Sequence, residues 1–441
     1  MAMGKRKPKQ EPLFFSAQEI PKAASHPFYA KVNEILERNK VDKRLEHLCK
    51  RFYKPVMGRP SMVPGVYFRM LLLGYFEGID SERGIAWRVS DSFSLREFLG
   101  FSLTESTPDH STVSRTRRLM PVETHKAVFR WFVKVLGEEG LIDGQTVAID
   151  ATMLEANAAM RSIRRRDDGR HYEEYLKDLA KAEGIEEPTR EQAARLDRKR
   201  KKKASNKDWM SPADADARIA RMKDGRTHLA HKAEHAVDLC SGAVVAITLQ
   251  AADLGDTTTI GVTLQEAQAH VALINERGVE EVVADKGYHS NDVLVDLHEE
   301  GVRSYIPEPE RGSRNWDGKE KEQKRVYGNR RRMSGRRGKD LQKLRTELTE
   351  RSFAHMYETG EMRRTHLRGQ SNILKRLLFH AVGFNLALLV RKCFGIGKPR
   401  TLQGSSAAIS LVQAFWKSIR AVWTRCTAPG GPRFAFSTDT R

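Results

Sequence analysis

Two acids close two apolar runs. Asp150 ends Val147-Ala148-Ile149 in "VAIDATMLEANA" (147–158), and Asp285 ends the run in "EEVVAD" (280–285), just ahead of "KGYH". A single Asp at a strand end is usually a turn residue or a helix cap. Two such ends brought together are different, because neighbouring carboxylates repel unless a cation sits between them. Mg²⁺ takes oxygen ligands and keeps waters, so a few acids plus substrate phosphates hold it. Two ions about 3.5–4 Å apart can stabilise both the attacking and the leaving oxygens of a phosphate displacement. A third acid normally completes such a site. The stretch "RTELTERSFAHMYETGEMRRTHLRG" (345–369) offers Glu347, Glu350, Glu358 and Glu361.

Other chemistry-bearing residues carry less. His228, His231 and His235 lack a fourth ligand at zinc spacing, and His231 and His235 read as hairpin residues. Glu155 and Asn157 suit either orienting the first strand end or starting a helix. Trp316 suits either stacking on a displaced base or packing a loop onto the core. The chain has no GxxxxGK[ST] phosphate loop, so ATP is not implied.

The elements that must position the acids follow from pattern. "TVAID" (146–150) reads as a strand. "HKAEHAVDLCSGAVVAITLQ" (231–250) reads as a hairpin turning at Cys-Ser-Gly, and 258–278 as a helix. "EEVVAD" is a second strand ending on an acid, followed by a helix at 293–301 and a strand at 302–307. Strand carboxyl ends are where reacting groups collect in open α/β sheets. Residues 158–226 read as a basic, mostly helical insertion. Residues 311–340 are polar, and from Leu341 the pattern is helical to about 394. Ahead of all this, 26–140 reads as helical: 63–78 with a Pro near its start and a Gly at its end, two short helices in 81–101, an Arg-rich helix in 107–120 and an amphipathic one in 122–140. Residues 1–25 read as a flexible basic arm, and 397–441 as a tail with one short apolar helix around 408–423.

Composition points to the partner. Lys and Arg number 77 against 57 Asp and Glu, a formal charge of +20. That excess suits a polyanion, and nucleic acid is the commonest. The short helices ending in 107–120 resemble a helix-turn-helix unit, in which His110, Ser111, Thr112, Ser114, Arg115, Arg117 and Arg118 would face DNA. The scattered cysteines Cys49, Cys240, Cys393 and Cys426 fit reduced thiols in the cytoplasm. The apolar stretch 373–394 carries Lys375, Arg376 and His380, which suits a buried helix better than a membrane span.

With the three acidic blocks quoted, the chain resembles bacterial insertion-sequence transposases of the DDE type, over roughly 26–396. "AIDATMLEANA" resembles the first block and "DKGY" the second, and "ERSFAHMYETGEMRRTHLRG" resembles the third, where Glu350 opens a helix and Phe353 follows. The resemblance implies a ribonuclease H-like α/β core, a mixed sheet flanked by helices, over 141–396, behind an all-α DNA-binding domain at 26–140. It implies that Asp150, Asp285 and Glu350 hold two Mg²⁺ (or Mn²⁺) ions for cleavage and strand transfer. It further implies double-stranded DNA as partner, both element ends and target, and a homodimer or higher on DNA. Arg330, Arg331, Arg363 and Arg364 would neutralise phosphates. The third block departs from the family pattern. Tyr327 and Arg330 keep its first interval, but Ser334 stands where an acid is expected, and Tyr357 rather than Lys lies seven residues after Glu350. Glu347 therefore stays open as the rival third acid. Two other readings share parts of this pattern: a ribonuclease H-like nuclease without strand transfer, and a basic DNA-binding regulator whose acids are structural.

Overall fold

The computed structural model describes residues 26–399, apart from 55–60, Leu103, 200–203, Lys223 and Lys398. The arm at 1–25 and the tail helix around 408–423 lie outside the described residues.

Seven helices come first: α1 (Pro27–Arg38), α2 (Val41–Cys49), α3 (Pro64–Glu77), α4 (Glu82–Asp91), α5 (Phe93–Leu99), α6 (His110–Leu119) and α7 (Val122–Glu138). Their boundaries follow local chemistry. Pro64 sits at the first position of α3, and Gly78 closes it at φ +62°, a left-handed conformation that glycine adopts without steric cost. Asp109 caps α6, accepting a 2.9 Å hydrogen bond from the Thr112 amide.

Then β1 (Thr146–Glu155), β2 (Arg164–Arg165), α8 (Tyr172–Ala182), α9 (Arg190–Lys199), β3 (Trp209–Met210), β4 (Arg218–Arg221), β5 (Thr227–Asp238) and β6 (Val244–Ala251) follow. The chain continues through α10 (Asp256–Val271), β7 (Glu281–Val283), α11 (Asn291–Glu299), β8 (Arg303–Tyr305), α12 (Glu320–Ser334), α13 (Arg336–Phe353) and α14 (Gln370–Phe394). Six of the strands form one mixed sheet. β5 pairs antiparallel with β1 on one side and with β4 and β6 on the other, while β1, β7 and β8 run parallel.

Helices cover both faces of this sheet. Successive strand residues point to opposite faces. Glu234 on β5 meets α10 through Thr259 and Thr263, whereas its neighbour His235 meets Ser352 on α13. α10 and α13 therefore lie on opposite faces. α14 joins the helical and sheet regions. Asn385 on it both accepts from the Val244 amide and donates to the Val244 carbonyl on β6, each at 2.8 Å, while Arg376 donates to the Ile79 carbonyl at 2.7 Å. The hydrophobic core runs unbroken from Phe28 to Val390, so the two regions share it. α14 is long and apolar enough to cross a membrane, but 89% of its most apolar window is buried in the protein.

Three expectations change. The first strand does not stop at Asp150. Twelve-residue β5 gives it a partner as far as Glu155. The basic insertion is not mostly helical: besides α8 and α9 it holds the β2–β3 ribbon and β4, which joins the main sheet, around a small core of Ala156, Ile163, Trp209, Ala217 and Leu229. The polar stretch at 311–340 is already helical from Glu320, because Val326 and Asn329 give α12 a buried side despite its charge.

Candidate active site

The two acids meet at one level of the sheet. β1 and β7 pair in parallel up to Ala148 and Val283. Asp150 and Asp285 each lie two residues further on, and paired strands run about 4.8 Å apart. Register therefore sets the two residues side by side on neighbouring strands, near enough for their charges to interact.

Each acid is held differently. Asp150 Oδ1 accepts from the Ala151 amide at 2.9 Å. Its Oδ2 accepts from Arg345 Nη1 at 2.8 Å and from Thr349 Oγ1 at 3.3 Å, both on α13. Burial pushes the Asp150 carboxyl above its ordinary range, Arg345 pulls it back, and neighbouring Asp285 adds to the rise. Asp285 caps a short turn, its Oδ1 accepting from the Gly287 amide at 2.8 Å. Gly287 lets both carboxylates approach the turn closely. A Cβ on it would lie 2.7 Å from Asp256 Oδ2 and 3.0 Å from Asp285 Oδ1. Asp256, the first residue of α10, is itself held by Lys232 Nζ at 2.6 Å. Sequence reasoning missed both; the signal available was an acid opening a helix directly after the hairpin.

A buried polar cluster supports the Asp285 turn. Glu234 accepts from Tyr288 Oη at 2.7 Å, from Thr259 at 2.8 Å and from Thr263. Burial raises its carboxyl above the usual range, and these hydroxyls oppose the rise.

The third block reaches the site in an unexpected way. The face of α13 turned to the sheet carries Gln342, Arg345, Thr349 and Ser352. Glu350 and Glu347 lie off this face, both exposed, and Glu347 pairs with Arg351 at 2.5 Å. Neither carboxylate is brought to Asp150. A helix advances 100° per residue, so the position after Thr349 turns away from what Thr349 touches. Further along, the block returns to the first one: the Glu155 amide donates to the Arg363 carbonyl at 3.0 Å, and the Thr365 amide to the Glu155 carbonyl at 2.8 Å. Asn157 donates to the His366 carbonyl at 2.9 Å, so both polar residues after Asp150 anchor this return.

The basic residues divide. Arg115, Arg118, Arg331 and Arg364 are exposed, with Arg364 3.6 Å from Glu155. Arg117 does not face outward: it is buried, ion-paired with Glu82 on α4. Its place in the helix puts it on the side packed against α4. Arg330 is committed to Glu308, which Arg314 also binds at 2.7 Å. Arg363 donates to Glu358 at 2.9 Å and to Thr152 at 3.2 Å. Trp316 is half-buried with Arg314 4.2 Å from its ring, as expected of a residue packing a loop onto the core. The three histidines part company: His228 meets Asp224 at 2.9 Å, His231 meets Asp214 at 3.0 Å, and His235 is buried between Ser352 and Tyr357.

The donor set around Asp150 and Asp285 suits a hard divalent cation, since it is oxygen only and its paired charge already draws in a cation, Arg345. Among the described residues, no group of three or more His, Cys, Asp or Glu side chains is assembled to hold a metal.

Two family models match the chain. One, described as a transposase DDE domain, covers residues 143–386, and the other, described as a transposase domain (DUF772), covers 16–119. No curated protein and no solved structure matches it.

Proposed function

The chain belongs to the family of transposases with a DDE domain, and from that premise we propose that it cuts DNA at the ends of its own element and joins the freed 3′-hydroxyl to target DNA. The observation that carries this reading is the register that sets Asp150 and Asp285 at one level on adjacent parallel strands. In this reading the sheet is ribonuclease H-like, a view supported by its mixed order with β1 central between antiparallel β5 and parallel β7. Asp150 and Asp285 would hold Mg²⁺ or Mn²⁺, which when bound activates water and stabilises the leaving oxygen. Glu350 is the third acid here on the strength of the block around it, although its carboxylate lies on the solvent side of α13. Arg115 and Arg118 on α6 present the exposed basic face for the element ends, and Arg331 and Arg364 meet phosphates nearer the acids. The partner is double-stranded DNA, and joining two ends calls for at least a dimer.

Labelled element ends incubated with protein and Mg²⁺ test the reading. Strand-transfer products are expected. Nicks without joining would make the protein a nuclease, and no cutting would make it a DNA-binding regulator.

A further inference from the structure

Arg345 does more than touch Asp150. Its Nη1 donates to Asp150 Oδ2 at 2.8 Å, its Nε donates to Gln342 Oε1 at 3.1 Å, and its Nη2 donates to Thr346 Oγ1 at 3.3 Å. Gln342 in turn donates to the carbonyls of Ala284 at 3.1 Å and Tyr305 at 2.8 Å. One turn of α13 thus spans all three parallel strands: Asp150 midway along β1, the residue after β7 and the last residue of β8. The Arg345 side chain is only 15% exposed and that of Asp150 22%.

The geometry points to Arg345 as a positioning residue, a resident cation that keeps Asp150 aimed beside Asp285 and yields Oδ2 when a divalent cation arrives. The inference rests on the metal-binding reading of these acids. Three features carry it. First, Asp150 Oδ2 already accepts from Arg345 Nη1 at 2.8 Å, so a cation binding that oxygen must displace this donor. Second, that donor is charged, and like charges confined to one small site repel. Third, Arg345 keeps two other acceptors, Gln342 and Thr346, so it can retreat without being left unpaired, whereas a guanidinium with a single partner could not. Thr349 is a weak competitor for that oxygen, because its single hydroxyl proton goes to the nearer Arg345 carbonyl at 2.8 Å, with Asp150 Oδ2 3.3 Å away. Metal affinity is therefore set by competition, and the acid pair stays ordered before loading.

The test is Mn²⁺ binding to the full chain without DNA, read by the electron paramagnetic resonance of the free ion. Arg345→Gln should bind Mn²⁺ roughly tenfold more tightly, the size of one charged hydrogen bond no longer in competition. Arg345→Lys, which keeps the charge, should stay close to wild type. A cooperative melt checks folding, and Arg345→Met, which keeps the apolar stem, replaces the Gln variant if that one does not fold. Equal or weaker binding by the neutral variant overturns the inference while leaving the metal site standing. If binding by wild type and variant alike is unaffected by Asp150→Asn, the metal-site reading itself falls, and this inference with it.

Discussion

Tyr288 Oη lies 2.7 Å from Glu234 Oε1, a buried hydrogen bond that ties the turn carrying Asp285 to the neighbour of β1. Both partners are inaccessible to water. Tyr288→Phe should cost about 1.5–3 kcal/mol, the usual range for a hydrogen bond to a charged group, and it should loosen Asp285. The expected outcome is a lower melting temperature together with reduced cutting. Wild-type melting would show that this bond contributes nothing.

The acids should separate chemistry from folding. Asp150→Asn and Asp285→Asn are each expected to reduce Mg²⁺-dependent cutting to background while melting and DNA binding stay near wild type. Both side chains make polar contacts, Asp150 with Arg345 and Asp285 with the Gly287 amide, instead of packing in the apolar core, so a lost charge affects a cation far more than packing. Cutting at the wild-type rate by either variant would remove that residue from the site.

Glu350→Gln is expected to impair cutting more than Glu347→Gln. Glu347 already has Arg351 one turn on, and losing that exposed pair should change stability by no more than about 0.5 kcal/mol. Parallel cleavage and melting assays decide it. Loss of cutting in the Glu347 variant alone would reverse the assignment.

Arg117 and its neighbours on α6 should behave differently. Arg117→Ala leaves Glu82, whose side chain is 16% exposed, without its partner and is expected to destabilise the fold by up to about 3 kcal/mol. Arg115→Ala with Arg118→Ala should leave melting unchanged and reduce the preference for element ends over random DNA. Titrations at about 50 and 200 mM salt distinguish base reading from phosphate contact, because phosphate contacts weaken on all sequences alike. An unchanged end-to-random ratio would place the recognition surface elsewhere.

His125 supplies a pH dependence. Its Nδ1 lies 3.0 Å from the Pro121 carbonyl, which can only accept, so Nδ1 carries the proton and Nε2 accepts from Tyr67 Oη at 3.0 Å. Burial lowers its pKa to about 3. A base whose folded pKa is depressed contributes stability that is complete above its unfolded value, about 6.5, and is lost as pH falls toward the folded one. Wild type should therefore lose up to about 1.4 kcal/mol per pH unit from this group below about pH 6. Melting between about pH 7 and pH 4.5 should show a shallower fall in His125→Gln. Equal slopes would mean that His125 is protonated in the folded state.

Much of this molecule is legible along the chain. Apolar periodicity and end residues gave α3 to α7, with Pro64, Gly78 and Asp109 at their boundaries, because helix start and stop depend on residues within one turn. The apolar runs ending at Asp150 and Asp285, and the hairpin between them, are equally local. A sequence pattern could not show that β1 continues to Glu155, since that depends on the length of a partner about 80 residues away. It could not show which face of α13 meets the sheet either. Three charged residues within six positions, Arg345, Glu347 and Glu350, look interchangeable in the sequence, and only packing against β1 selects Arg345 and turns the two glutamates outward. In the same way Arg117 differs from Arg115 and Arg118 only through its contact with Glu82. Local chemistry determined the elements and nominated the acids. Tertiary packing decided which charges are paired inside the protein and which remain at its surface, because burial and pairing depend on residues distant in the chain.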